Sequence, residues 1–181
     1  MEINYKQKLI NIKVFIFDVD GVLTDGSLLI SETGELLRTM NVKDGFAMKF
    51  AIDNGFKIGI ISGGTNEAVK SRLEKLGIEE IHLKSHDKII HFENFVKKFD
   101  FDAKNILVMG DDIPDIPIIK AAGIGTCPQD AVPEVKSACQ YISKNNGGKG
   151  AVRDVIEQVM KIQNKWIYII IGGVIITHYY C

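Results

Sequence analysis

The chain has 181 residues, 46% hydrophobic and 25% charged, which is enough for one well-cored soluble domain and too little for two large ones. With 22 Lys and Arg against 23 Asp and Glu the net charge is -1, which excludes a global field that would gather nucleic acid or an anionic membrane. Small molecules are therefore the expected partners, with no nucleic acid and no membrane, and any anion must be gripped by a few local basic groups.

The first predicted element is the apolar run Val14, Phe15 and Ile16, a buried strand that leads into Phe17-Asp18-Val19-Asp20-Gly21. Ligands of open α/β sheets bind beyond the carboxyl ends of strands, so Asp18 and Asp20 are placed to face one metal and one phosphate together. Next, residues 27–30 and 35–38 flank Ser31-Glu32-Thr33-Gly34 and read as a β-hairpin insertion, residues 27–40, suited to assembly because an isolated hairpin is barely stable in water. A helix is expected near 46–54 and a strand over Lys57–Ile61, with Gly55 as the helix C-cap between them.

Ser62-Gly63-Gly64 follows that strand. Val69, Leu73 and Leu76 then recur at helical spacing up to Gly77, ahead of a short strand at 81–83. Ile89, Phe92, Val96 and Phe99 mark another helix, Ile106–Met109 another strand, and Val152, Val155, Ile156, Val159 and Met160 the last helix. Strand and helix alternate as in a doubly wound, Rossmann-like parallel sheet, and residues 1–165 are expected to form one domain. The remaining tail, 166–181, is Ile-rich. Its apolar stretch is too short for the roughly 20 residues of a membrane helix, and its composition fits burial, disorder or a subunit contact.

Three cysteines without C-x-x-C spacing, and no amino-terminal signal peptide, suggest a reducing cytoplasm rather than a disulfide framework. His82, His86 and His91 cluster in sequence but lack a Cys pair or an H-E-x-x-H pattern, so they read as ordinary residues rather than zinc ligands.

The chemistry points to phosphoryl transfer. An aspartate at position 18 can attack phosphorus in line and form an aspartyl-phosphate, provided that a hard cation offsets the repulsion between two anions. Magnesium prefers oxygen ligands and keeps several waters, so the metal set is Asp18, Asp111 and the backbone carbonyl of Asp20. The side chain of Asp20 is then free for general acid/base work. Ser62 and the N–H groups of its glycines can donate to the transferring oxygens. Beyond the strand Ile106–Met109, the acids Asp111, Asp112 and Asp115 repel one another unless a cation neutralises them. Asp111 is the expected ligand, Asp112 a helix cap, and Asp115 a support for a lysine or for the metal's waters.

The order Asp18-x-Asp20, Ser62, Lys88, Gly110-Asp111-Asp112 resembles the haloacid dehalogenase superfamily of phosphatases, from about residue 13 to 161. The closest form is that of the small capless 3-deoxy-D-manno-octulosonate 8-phosphate phosphatases. This resemblance selects Lys88 over its rival Lys84 as the phosphate lysine. It also implies that Asn41, Val42, Lys43, Asp44 and Gly45, with Lys49 and Arg72, meet a sugar acid phosphate, together with Asp20, Ser62, Gly63, Gly64 and Lys88 around the phosphate. Relatives build a homotetramer through the hairpin, and Asn146 to Arg153 resembles their Gly-Gly-x-Gly-Ala-x-Arg signature.

Gly64 departs from the arginine that many relatives carry there, and Lys49 stands where arginine is common. The expected activity is Mg-dependent release of Kdo for lipopolysaccharide synthesis. The alternatives are a phosphatase for a nine-carbon sugar acid 9-phosphate, a receiver-like signalling module, and a catalytically silent scaffold. In a receiver, however, the phosphorylated aspartate follows a middle strand rather than the first.

Overall fold

The computed structural model describes residues 4–166, 168–170 and 174–176. In chain order the elements are α1 (Tyr5–Lys8), β1 (Val14–Phe17), β2 (Leu29–Ile30), β3 (Leu36–Leu37), α2 (Val42–Asp53), β4 (Lys57–Ile61), α3 (Glu67–Glu74) and β5 (Glu80–His82). They continue as α4 (Lys88–Phe99), β6 (Ile106–Met109), α5 (Ile116–Ala121), β7 (Ile124–Cys127), α6 (Pro133–Ala138), β8 (Tyr141–Ile142), α7 (Ala151–Ile162), β9 (Tyr168–Ile170) and β10 (Val174–Ile176).

Six strands pair in parallel in the order β5-β4-β1-β6-β7-β8, the doubly wound sheet expected from the alternation. β1 is central. It is buried at every position, because Phe15 and Phe17 point to one face while Val14 and Ile16 point to the other. The first face packs on α2 and α7, whose Val152, Val155, Ile156, Val159 and Met160 form one apolar stripe. Phe92 and Phe95 of α4, with Ile118 and Ile119 of α5, cover the second.

The chain leaves β1 toward β4 and β5 on one side and returns through β6 to β8 on the other. A sheet built this way opens a crevice where the direction of winding reverses, beyond the carboxyl ends of β1, β4 and β6. Gly55 and Gly77 take the left-handed conformation that ends a helix, at φ +85° and +88°.

The hairpin forms as β2 and β3, paired antiparallel, and is shorter than its apolar flanks suggested. The preceding sequence reading made no assignment for α5, β7, α6 and β8. In the tail, β9 and β10 pair antiparallel, and the other tail residues beyond Trp166 lie outside those described. Cys127 and Cys139 are free thiols.

Phe15 stacks on Phe17 at 5.9 Å between ring centroids, meets Phe56 in a tilted contact at 5.4 Å, and is fully buried. Phe15→Ala is expected to cost about 3–5 kcal/mol of unfolding free energy, read as a lower urea midpoint with little change in slope.

Candidate active site

Asp18 continues the ladder of β1 by one hydrogen bond, its N–H donating to the Met109 carbonyl at 3.1 Å, so the nucleophile candidate stands at a fixed height above the sheet. Lys88, first residue of α4, reaches it from across the crevice. Its Nζ lies 3.1 Å from Asp18 Oδ1 and 2.6 Å from Asp115 Oδ1, and all three side chains are buried. Burial works against the Lys88 charge, but the facing Asp18 and Asp115 outweigh it and hold the lysine above its ordinary range.

Asp115 is fully committed. Its other oxygen accepts the N–H groups of Asp111 and Asp112 at 3.1 and 3.3 Å, while Asp112 caps the short 3₁₀ turn Ile113–Asp115 as expected. Two glycines make room for these carboxylates. A Cβ on Gly110 would come within 2.3 Å of Asp115, and one on Gly21, at φ +87°, within 2.0 Å of Asp111.

Asp18, Asp111 and Asp115 lie close enough that one oxygen from each falls within 4.8 Å of the others. Asp18 Oδ1 and Asp111 Oδ1 are buried and accept no well-aligned hydrogen bond. Asp111 Oδ1 has no donor and Asp18 Oδ1 has only the Lys88 ammonium at 3.1 Å, an arrangement of buried carboxylates that is costly unless a cation serves it. The donor set therefore fits a hard divalent ion on Asp18 and Asp111, with Asp115 spent on Lys88 and the loop. Burial, then Asp115, raises the Asp18 carboxyl to about 6 against the opposing pull of Lys88. Burial, then Asp18 and Asp115, raises Asp111 to about 8.

Asp20, two residues on, turns outward, and an arginine that the sequence reading passed over meets it. Arg38 Nε donates to Asp20 Oδ1 at 2.6 Å and Nη2 to Oδ2 at 3.0 Å. Arg38 is one of three arginines in the chain and follows directly on the second hairpin strand.

Ser62 is buried at the end of β4, and its Oγ accepts the Gly64 N–H at 3.2 Å. Ser85, also buried and with an unpartnered Oγ, donates its N–H to the Ser62 carbonyl. A Cβ on Gly63 would meet only the Ser85 carbonyl, at 3.9 Å, and one on Gly64 would press on Asp20.

The expected sugar-binding residues scatter. Asn41 caps α2 and donates to the Gly148 carbonyl, whereas Val42 and Lys43 face outward. Asp44 is buried and accepts the N–H groups of Arg153 at 2.7 Å and Gly150 at 3.3 Å, which turns it toward the start of α7 rather than to solvent. Gly45 is the point where α2 comes against Arg72, and Lys49 pairs with Asp53 on the open side of α2. The glycines of the 146–153 segment have a packing role: a Cβ on Gly147 would sit 1.9 Å from the Gly21 carbonyl, and the Gly148 N–H donates to the Val22 carbonyl. His82 and His91 lie in a tilted contact at 4.9 Å beside Glu80, and neither belongs to the acid cluster.

A parallel sheet carrying Asp-x-Asp after its first strand, a serine after the next, a helix-start lysine and a distal acid pair defines a hydrolase of the haloacid dehalogenase class. The family of haloacid dehalogenase-like hydrolases matches residues 78–156. A 3-deoxy-D-manno-octulosonate 8-phosphate phosphatase of Escherichia coli K12 is 33% identical over 155 residues, 86% of this chain and 82% of that one. Among solved structures, the Moraxella catarrhalis phosphatase in complex with magnesium, phosphate and KDO shares 32% identity at a TM-score of 0.85, covering 88% and 91% of the two chains. The cobalt-bound phosphatase of Haemophilus influenzae shares 34% at 0.84, covering 87% and 92%. The chain belongs to the 3-deoxy-D-manno-octulosonate 8-phosphate phosphatase family.

Two measurements follow from this geometry. Because Asp18 and Asp111 are raised, the folded protein keeps protons that the unfolded chain, near pH 4, has released. The contribution of these two carboxyls to metal-free stability is then fullest below about pH 4 and is lost as the pH rises through about 6 and about 8. Thermal melts without metal are expected to drop over that window, Mg to raise them most at pH 8, and Asp111→Asn to melt higher than wild type there with little response to Mg. For Asp44→Ala, which leaves the Gly150 and Arg153 N–H groups unpaired, the expected loss is about 1–3 kcal/mol of stability with KM unchanged, read by urea titration and steady-state kinetics.

Proposed function

We propose that the chain is a magnesium-dependent phosphatase that hydrolyses 3-deoxy-D-manno-octulosonate 8-phosphate to Kdo and phosphate. The observation that carries this is the buried array of Asp18, Lys88 and Asp115, with a donor-free oxygen on Asp111 beside it, at the switch point of the sheet, in a member of this family. Asp18 and Asp111, with the backbone carbonyl of Asp20, would hold the metal. When bound, it neutralises charge between the nucleophile and the phosphate.

The residues then divide the work. An Asp18 oxygen attacks phosphorus, the bond from phosphorus to the sugar oxygen breaks, and that oxygen takes its proton from Asp20, leaving an aspartyl-phosphate on Asp18. In the second half-reaction a water gives its proton to Asp20 while its oxygen attacks phosphorus. The bond to Asp18 breaks, and phosphate leaves with both aspartates restored. Lys88 supports the ionised nucleophile and the charge that spreads over the phosphoryl oxygens, Ser62 and the N–H groups after it donate to those oxygens, and Asp115 fixes Lys88. Electrostatic stabilisation of this kind needs donors that are already in place, and the Lys88 and Asp115 ion pair supplies that.

Residues 1–165 act in this reading as one catalytic domain. Exposed Leu29, Ile30, Leu36 and Leu37 on the hairpin, with Val42 and Phe46 beside it, support homotetramer formation, in which Lys43, Lys49 and Arg72 are the cationic groups available for the sugar carboxylate. The product feeds lipopolysaccharide synthesis in the cytoplasm. The alternative reading is a phosphatase for a nine-carbon sugar acid 9-phosphate, which Gly64, without a side chain to contact the sugar, leaves for the substrate panel to separate.

Phosphate release with Mg from eight- and nine-carbon sugar acid phosphates and simple hexose phosphates tests the reading. Preference for the octulosonate ester, abolished by Asp18→Asn, is expected. Preference for a nine-carbon ester would move the substrate, and no release from any ester would overturn the phosphatase.

A further inference from the structure

The Arg38 guanidinium has three hydrogen bonds and almost no solvent. Nε and Nη2 fork onto the two oxygens of Asp20, and Nη1 donates to the Leu36 carbonyl at 3.0 Å. That same carbonyl accepts Asn66 Nδ2 at 2.9 Å, which ties the second hairpin strand to the start of α3. The Arg38 side chain is 7% exposed, against 34% for Asp20, so the arginine is buried behind the carboxylate rather than reaching for solvent. Gly64 leaves the space: a Cβ there would lie 3.3 Å from Asp20 Oδ2 and 3.7 Å from Arg38 Nη2.

A two-point fork fixes a carboxyl group in position and in rotation. In the cycle above Asp20 is ionised between the two half-reactions, after it has protonated the sugar oxygen and before it takes the proton of water. We propose that Arg38 is a positioning residue for the second half-reaction, holding the Asp20 carboxylate toward the water that attacks the aspartyl-phosphate. The proposal rests on Asp20 being the acid and base. Arg38 enters the reaction only through its contact with the Asp20 carboxylate. It acts through Asp20, by aligning the oxygen that receives the water's proton while phosphorus passes from Asp18 to the incoming oxygen. The hairpin thereby has a part in turnover besides any part in assembly.

The test uses the full-length enzyme with Mg and its preferred ester. In Arg38→Met, slow hydrolysis of the aspartyl-phosphate is expected to lower kcat by about tenfold or more and KM in parallel, so that kcat/KM holds within about threefold. Acid-quenched protein should then carry more covalent phosphate than wild type. Arg38→Lys keeps the charge without the fork and is expected to fall between the two; it carries the test if the methionine variant melts too low to assay. A purely structural role would lower kcat at constant KM with no gain in labelled protein, and that result, or wild-type turnover in both variants, overturns the proposal. Asp20→Asn run alongside separates the two failures. If it turns over like wild type, the assignment of Asp20 is at fault. If it is slow and the Arg38 variants are not, only the role of Arg38 falls.

Discussion

Everything at this crevice depends on one buried cation standing between two buried carboxylates. Lys88 is the first residue of α4, and its ammonium is shared between Asp18 and Asp115. Removing either acid would leave a poorly compensated buried charge, and removing the lysine would leave two acids facing each other across a dry gap. The glycines at 21 and 110, the capped turn at Asp112 and the commitment of Asp115 to backbone N–H groups all follow from holding that array together. What Lys88 leaves unbalanced, the buried carboxylate of Asp111 with its donor-free oxygen beside Asp18, is what suits the place to a cation.

The two-residue spacing of Asp18 and Asp20 does more than bring two acids near one phosphate. It sends them to different surroundings. Asp18 leaves the strand into the buried array, whereas Asp20 turns to the hairpin and meets an arginine at the crevice edge. Like side chains thereby gain unlike tasks from their neighbours alone, since a carboxyl beside a lysine and a metal suits attack and one at the solvent edge suits proton traffic.

The sheet was legible because strands buried on both faces read as unbroken apolar runs: Val14, Phe15, Ile16 and Phe17 leave no ambiguity. Ile124–Cys127 hid because its middle is Gly125 and Thr126, and Tyr141–Ile142 because two residues have no period to read. The acid cluster was legible from spacing, since strand ends put their chemistry at fixed places. Partners far along the chain were not. Asp44 looked like a sugar contact beside Asn41, but its hydrogen bonds go to Gly150 and Arg153, more than 100 residues later. Lys49 sits next to these positions in sequence and pairs instead with Asp53, one turn along its own helix. Arg38 lay hidden for the same reason, as its partner is 18 positions upstream across a turn whose path no local pattern dictates.

The packing of Gly147 and Gly148 against the backbone of Gly21, Val22 and Thr24 sets an order of events during synthesis. The loop that carries Asp18 is made well before the turn that packs on it, more than 120 residues later, and α7 must dock on α2 to hold that turn in place. A ribosome-bound chain can pair β1 with β4 long before this happens, because domains gather from the amino terminus as they emerge. Its catalytic loop then waits, unclamped, for the last helix. Truncation from the carboxyl end into residues 146–162 thus strikes the first functional loop, and a half-made chain has no finished site with which to touch its substrate.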